Sequence, residues 1–252
     1  MDVLTTATSQ EERDRGASVA VLPVGSFEQH GDFLPLTTDT LVAVAIAQEV
    51  ATAYDLFLLP PITISCSHEH AAFAGTVSIS ARTLHALVDD IRASLRQSGV
   101  HKLVLVNGHG GNYVLSNVTQ EANVDGPSIT LFPGRSDWEK ARTDAGMTTS
   151  NHSDMHAGEL ETSLLLHVAP ELVGPGRETA DWIADERPHL LTLGMAGYTT
   201  SGVIGRPSLA TADKGRALLE SLVKSFSAHL TALTTSAEVP SSKLIRTPGC
   251  AC

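Results

Sequence analysis

Three stretches of the chain gather side chains able to bind a divalent cation. In SFEQHGDFLPLTTD, Glu28 and His30 stand two positions apart, and in extended backbone both side chains point to the same side. Asp39 follows nine residues after His30, across a loop stiffened by Pro35. A carboxylate, an imidazole and a second carboxylate make a mixed oxygen and nitrogen donor set suited to zinc, manganese or iron(II). The plain alternative is a pair of solvated carboxylates beside a hydrogen-bonded loop histidine. In NGHGGN, residues 107–112, His109 sits where an apolar run ends, and its flanking glycines let backbone approach a ligand closely. Such a turn could instead cradle phosphate at a helix N-terminus, so a metal-free module binding a phosphorylated metabolite is the competing reading. The loop matches neither the dinucleotide fingerprint nor the Walker pattern, and phosphate would leave its central histidine unexplained.

The third stretch is DMHAGELETS, residues 154–163. On a helix, His156 and Glu159 are three apart and share a face, whereas Glu161 is rotated away. This spacing makes Glu159 the expected ligand. Glu161 is read as a solvated helix carboxylate or as an acceptor supporting the ligands from behind. Asp154 is read as a helix cap or as the group that orients His156.

Ligands of parallel sheets bind beyond the carboxyl ends of the strands, which is where the first two stretches fall. The run ASVAVLPVGS from Ala17 reads as a buried strand, residues 39–53 as a helix, and FLLPPITIS as a strand interrupted by prolines. Residues 82–98 carry Leu84, Leu87, Val88, Ile91 and Leu95 at helical spacing and stop at Gly99, and HKLVLVN is a short, continuously apolar strand. Alternating strands and helices predict an α/β fold, one domain over residues 1–235 with a mainly parallel sheet flanked by helices. Residues 133–156, with Trp138, read as a loop beside the site, 157–168 as a helix, 174–209 as irregular and 211–233 as a last helix. Residues 236–252 read as a mobile tail.

Bulk properties narrow the partners. A formal charge of −11 over 252 residues argues against duplex nucleic acid and anionic lipid surfaces as partners. Three cysteines, two of them Cys250 and Cys252, make no disulfide framework, and no segment offers ~18 uninterrupted apolar residues. A cytoplasmic protein is expected.

Taken together, SFEQHG with its following Asp39, SHEHAAFAGT, NGHGGN, HAGELETS and TSGVIGRP resemble the creatininase family of metal-dependent amidohydrolases from about Val21 to about Lys214. The resemblance implies that Glu28, His30, Asp39 and His109 hold two divalent ions, zinc first and manganese or iron as alternatives, with Asp39 bridging. It also implies that His156 is the catalytic acid/base. Creatininase carries a glutamate two residues after the NGH histidine, where this chain has Gly111. The resemblance passes that ligand role to the glutamate of HAGE, Glu159 here. Ser67, Glu69, His70 and Trp138 are expected to line the substrate pocket. The chemistry implied is attack on an amide carbonyl by a metal-bridging hydroxide, with His156 protonating the leaving nitrogen. Substrates allowed by the resemblance are a lactam such as creatinine, a formamide, or a small peptide as in mycofactocin maturation. A homo-oligomer, a hexamer by resemblance, is implied as well.

Overall fold

The structure is a computed structural model, and it describes residues 4–235. The expected tail, with Cys250 and Cys252, lies outside the described residues. A short helix absent from the sequence reading, α1 (Ser9–Arg15), comes first, its N-terminus closed by Thr8 and Glu11 in a reciprocal cap. Strand β1 (Val19–Val24) leads through a loop to α2 (Thr38–Tyr54), then β2 (Phe57–Leu58), α3 (Ala81–Gln97), β3 (Lys102–Asn107), α4 (Val114–Ala122) and β4 (Ile129–Phe132). All four strands are parallel, in the order β2-β1-β3-β4. The chain thus matches the expected α/β class.

Both faces of this sheet are covered, which explains why β1 and β3 read as unbroken apolar runs. Val19 and Val21 face one core with Val104 and Val106, against α2 and the last helix, while Ala20, Leu22 and Val24 face a second core closed by α3 and α4. The expected strand over residues 57–65 is cut to two ladder residues. Pro60 and Pro61 have no N–H to give a ladder, and the chain rejoins β1 only where Ile62 bridges Val24.

After β4 the structure corrects the expectation of a loop over residues 133–156. Residues 135–144 form α5 (Arg135–Asp144), which turns Asp137, Ala141 and Arg142 inward. Its polar composition hid the helix, because one buried arginine replaces an apolar residue on its inner face. Beyond α6 (Glu159–Val168), residues 174–209 are irregular as expected, with short 3-10 turns and the one-turn α7 (Leu190–Leu193). The last helix is α8 (Ala212–Thr234), and it lies against α6 so closely that a Cβ at Gly215 would stand 2.0 Å from the Ser163 carbonyl oxygen. Among the described residues no helix is long and apolar enough to cross a membrane.

This topology opens one crevice. Val24 of β1 pairs with Asn107 of β3, so the central strands end side by side at Gly25 and Gly108. From there the chain runs to opposite sides, β1 toward β2 and β3 toward β4, which makes this gap the switch point where parallel sheets hold ligands. The first turn of α2 seats on the two strand tips: a Cβ at Gly25 would meet Thr40 Cα at 2.3 Å, and one at Gly108 would meet the Asp39 carbonyl at 2.3 Å.

Candidate metal centre

The crevice brings together Glu28 and His30 from the loop after β1, Asp39 from α2, His109 from the turn after β3, and His156 and Glu161 from the segment entering α6. Two trios of ligand atoms share Asp39: Glu28, Asp39 and His109 on one side, His30, Asp39 and Glu161 on the other, each with its atoms within 4.8 Å of one another. Asp39 Oδ1 lies 3.1 Å from His30 Nε2, and Oδ2 lies 3.0 Å from His109 Nδ1. Ser26 Oγ donates to Oδ2 at 2.6 Å and fixes the carboxylate between the two sides.

Each histidine is oriented from behind. His30 Nδ1–H donates to the Glu28 carbonyl at 3.1 Å, His109 Nε2–H to the Cys66 carbonyl at 2.8 Å, and His156 Nε2–H to the Gln29 carbonyl at 2.6 Å. A carbonyl only accepts, so the proton must sit on that nitrogen and the other nitrogen faces the cluster. This backbone support is the arrangement that presents imidazole lone pairs to a metal.

Glu28 supplies the test of whether ions fit. It is fully buried, and neither carboxylate oxygen has a hydrogen-bond partner. The nearest ring nitrogens, His70 Nε2 and His109 Nδ1, are 3.2 Å away but poorly aligned for hydrogen bonding. A buried carboxylate without partners costs several kcal/mol, and cations in the crevice remove that cost. The site therefore fits a pair of divalent ions.

Proton affinities carry the same mark. Burial alone would lower His30, but Asp39, Glu161 and Glu28 outweigh it and push it up to about 9. Burial likewise opposes His109, yet Glu28 and Asp39 hold it well above its usual value. Asp39 is held well below the carboxylate range by His30 and His109 against its own burial. His156 differs: burial, then His30 and His70, hold it well below 6.5, so its ring is neutral. Metal-free, folded His30 and His109 keep protons that the unfolded chain releases near pH 6.5. Their contribution is full below that pH and is lost as pH rises through about 9 for His30. The unfolding temperature of chelated protein is thus expected to fall between about pH 7 and 9, where ions compete best for the two rings. Calorimetry on loaded and chelated samples checks this; a gap between them that narrows with rising pH would contradict it.

The structure does not bring Glu159 into the ligand trios. Its Oε1 lies 2.5 Å from Lys214 Nζ, and its Oε2 accepts from Thr149 Oγ1 at 2.6 Å. Glu161 faces the cluster instead, with Oε2 3.9 Å from His30 Nε2 and accepting the Ala157 N–H at 2.6 Å. Burial raises the Glu161 carboxyl to about 7, against the opposing effect of His30. The helix that the sequence spacing assumed does not extend to His156. Ala157 takes a φ of 50° and Gly158 is the extended N-cap, so α6 begins only at Glu159, and three-residue helical spacing from His156 has no meaning. Asp154 caps α6, as one of its two expected roles had it, accepting from Glu159 N at 2.6 Å and Leu160 N at 3.0 Å.

The remaining expected residues surround the cluster. Ser67 is buried, its backbone N–H donates to Ser78 Oγ at 2.8 Å, and its hydroxyl has no partner. Glu69 Oε1 lies 3.5 Å from His109 Nε2 and would stand 1.9 Å from a Cβ at Gly111, so its carboxylate fills the space next to that glycine. His70 is buried, with Nε2 toward Glu28. Trp138 lines a cavity of about 310 Å³ with His109, Arg142, Leu160 and Glu161. Gln29 and Arg142 are among the residues with structural roles at the site that escaped the sequence reading. Gln29 lay inside a recognised motif but between its ligands, and Arg142 had no spacing signal. The Arg142 guanidinium donates to Asn151 Oδ1 at 2.6 Å, Thr149 Oγ1 at 3.1 Å and Asp154 Oδ2 at 3.0 Å, tying the loop before His156 to α5.

Comparison with known proteins agrees with this geometry. Residues 4–230 match the family described as creatininase, creatinine amidohydrolase. The mycofactocin precursor peptide peptidase of Mycobacterium ulcerans is 36% identical over 235 residues, covering 87% of both chains. The creatinine amidohydrolase of Pseudomonas putida is 26% identical over 226 residues, covering 83% of this chain and 87% of that one. Among solved structures, a substituted creatininase of Zn-Zn type superposes with a TM-score of 0.74 at 25% identity, covering 90% of this chain and 95% of that one. The chain belongs to the creatininase family and is a hydrolase of carbon–nitrogen amide bonds.

Proposed function

We propose that the protein hydrolyses an amide bond of a peptide with two divalent ions held by Glu28, His30, Asp39, His109 and Glu161, zinc being the first choice and manganese or iron the alternatives. The observation that carries this is the pair of ligand trios sharing Asp39, one fully buried and the other part-exposed only at Glu161, with both Glu28 oxygens unpartnered. The phosphate reading of NGHGGN fares worse, because an anion at His109 would face Glu28 and Asp39 within 3.2 Å of the ring. A peptide is favoured by the higher identity to a peptide peptidase, 36% against 26% for a creatinine amidohydrolase. The Zn-Zn form of the creatininase relative supports zinc.

When bound, the ions would polarise the carbonyl and bring the pKa of water toward ~7. The chain's own groups handle orientation and protons. His156 is neutral, its Nε2–H anchored on the Gln29 carbonyl, and its Nδ1 faces the cluster 3.7 Å from Glu28 Oε1. It accepts the proton of the attacking water at Nδ1 and returns it to the leaving nitrogen as the C–N bond breaks and a C–O bond forms. Trp138 and Leu160 give the adjoining cavity apolar walls for the substrate. A homo-oligomer belongs to the same reading; light scattering should return a mass well above that of the 26.5 kDa chain.

Elemental analysis of protein purified without chelator tests the reading. About two transition-metal ions per chain are expected, with amide hydrolysis lost on chelation and restored by zinc, manganese or iron(II). Full activity in protein stripped of metal would overturn it.

A further inference from the structure

We infer that His70 is a positioning residue that presents its Nε2–H toward Glu28, and that Gln29 sets this tautomer. The inference rests on the metal reading above and deepens it. Four histidines crowd the crevice: the His156 ring centroid lies 4.1 Å from that of His30 and 4.4 Å from that of His70, and the His70 centroid lies 6.2 Å from that of His109. Their chemistry is set by what each far nitrogen meets. His30, His109 and His156 meet carbonyl oxygens, which leaves a lone pair turned toward the cluster. His70 alone meets a donor.

That donor is the Gln29 side-chain amide, whose Nε2 lies 2.9 Å from His70 Nδ1. The amide cannot be turned over without loss. Its Oε1 accepts from Gly31 N at 2.9 Å, and its Nε2 donates to the Gly202 carbonyl at 3.1 Å. The NH₂ end therefore faces His70, whose Nδ1 must accept, and a neutral ring then carries its proton on Nε2. Nε2 stands 3.2 Å from Glu28 Oε1, near enough that a small turn of the carboxylate onto an ion would bring the N–H into line with it, although the two are not aligned as a hydrogen bond without that turn. A ring presenting N–H cannot ligate an ion. It can hold one carboxylate oxygen in place while the other meets the metal, the role that supporting groups play behind metal ligands. Gly202 is required for this arrangement: its φ is 84°, and a Cβ there would stand 1.8 Å from Gln29 Oε1.

Three variants test the assignment in the full chain: His70→Leu removes the donor, His70→Gln restores an N–H from its amide, and Gln29→Glu offers His70 an acceptor and reverses its tautomer. Zinc titration followed by elemental analysis should show His70→Leu losing about 10–100-fold in affinity for the ion on the Glu28 side, with the second ion kept and His70→Gln rescuing most of the loss. Long-range ¹H–¹⁵N spectra of histidine-labelled, zinc-loaded protein should show two crevice rings, His70 and His156, protonated at Nε2 with an unligated Nδ1; one of the two patterns should vanish in His70→Leu and reverse in Gln29→Glu, while that of His156 stays. If His70→Leu binds both ions as tightly as the unaltered chain, or if the His70 Nε2 is bound to zinc, the inference fails. If the unaltered chain takes up no zinc, the metal reading fails first. Should Gln29→Glu not fold, the two His70 variants and the spectrum of the unaltered protein decide.

Discussion

Asp39→Asn protein is expected to fold, to bind neither ion at micromolar zinc, and to lose amide hydrolysis by ~10³-fold or more in kcat/KM. Asp39 is the only side chain common to both ligand trios, with one oxygen toward His30 and the other toward His109. An asparagine keeps the shape and can still accept from Ser26, but it is neutral and offers one oxygen where two are needed. A metal-polarised carbonyl and an activated water supply several kcal/mol of transition-state stabilisation, and each ~1.4 kcal/mol is tenfold in rate. Elemental analysis and turnover on the same sample measure both quantities. Asp39→Asn protein carrying two ions per chain would remove Asp39 from the bridge and with it the shared-ligand geometry.

The second large effect separates two glutamates that lie two residues apart. Glu161→Gln should lose the ion held with His30 and Asp39, keep the other, and drop ~10²-fold or more in kcat, since an amide neither balances the charge nor accepts the Ala157 N–H as strongly. Glu159→Gln should keep both ions. Its cost falls on stability, because Lys214 loses the counter-charge 2.5 Å from its ammonium; with that side chain 23% exposed, water softens the loss to about 1–3 kcal/mol. At this chain length that is a fall of several degrees in unfolding temperature. The decisive pattern is a crossover of metal count against stability. Glu159→Gln losing an ion while Glu161→Gln keeps both would restore the assignment that helical spacing first suggested.

This pair also shows how far the sequence could be read. Glu28, His30, Asp39 and His109 were legible because each follows an apolar run that can only be a buried strand or sits just inside the next helix. The parallel sheet was legible for the same reason, as VAVLPV and KLVLVN have no polar face. Glu161 was not legible, because its place depends on where α6 starts. That is decided by Ala157 in a left-handed conformation and by Asp154 reaching five and six residues on to cap the helix. Residue identity states neither. Helix α5 was hidden by Arg142, whose burial makes sense only once Asn151, Thr149 and Asp154 surround it. Gln29 was invisible for a different reason: an amide between two ligands has no chemistry of its own until the ring it faces is known.

The seating of α2 on Gly25 and Gly108 has a consequence for anyone wishing to alter the metal preference of this protein. The helix turn bearing Asp39 rests on bare main chain at both strand tips, with 2.3 Å between an added Cβ and the Asp39 or Thr40 backbone. No side chain at these tips can be trimmed to bring the two ligand trios closer, and adding one there wedges the helix away from the sheet. The spacing on the sheet side behaves as a fixed gauge set by peptide thickness. Variation in ion size or coordination number must then be sought on the opposite wall, at Glu161 and the loop that Arg142 holds, where the ligands hang from side-chain contacts that substitution can lengthen or shorten.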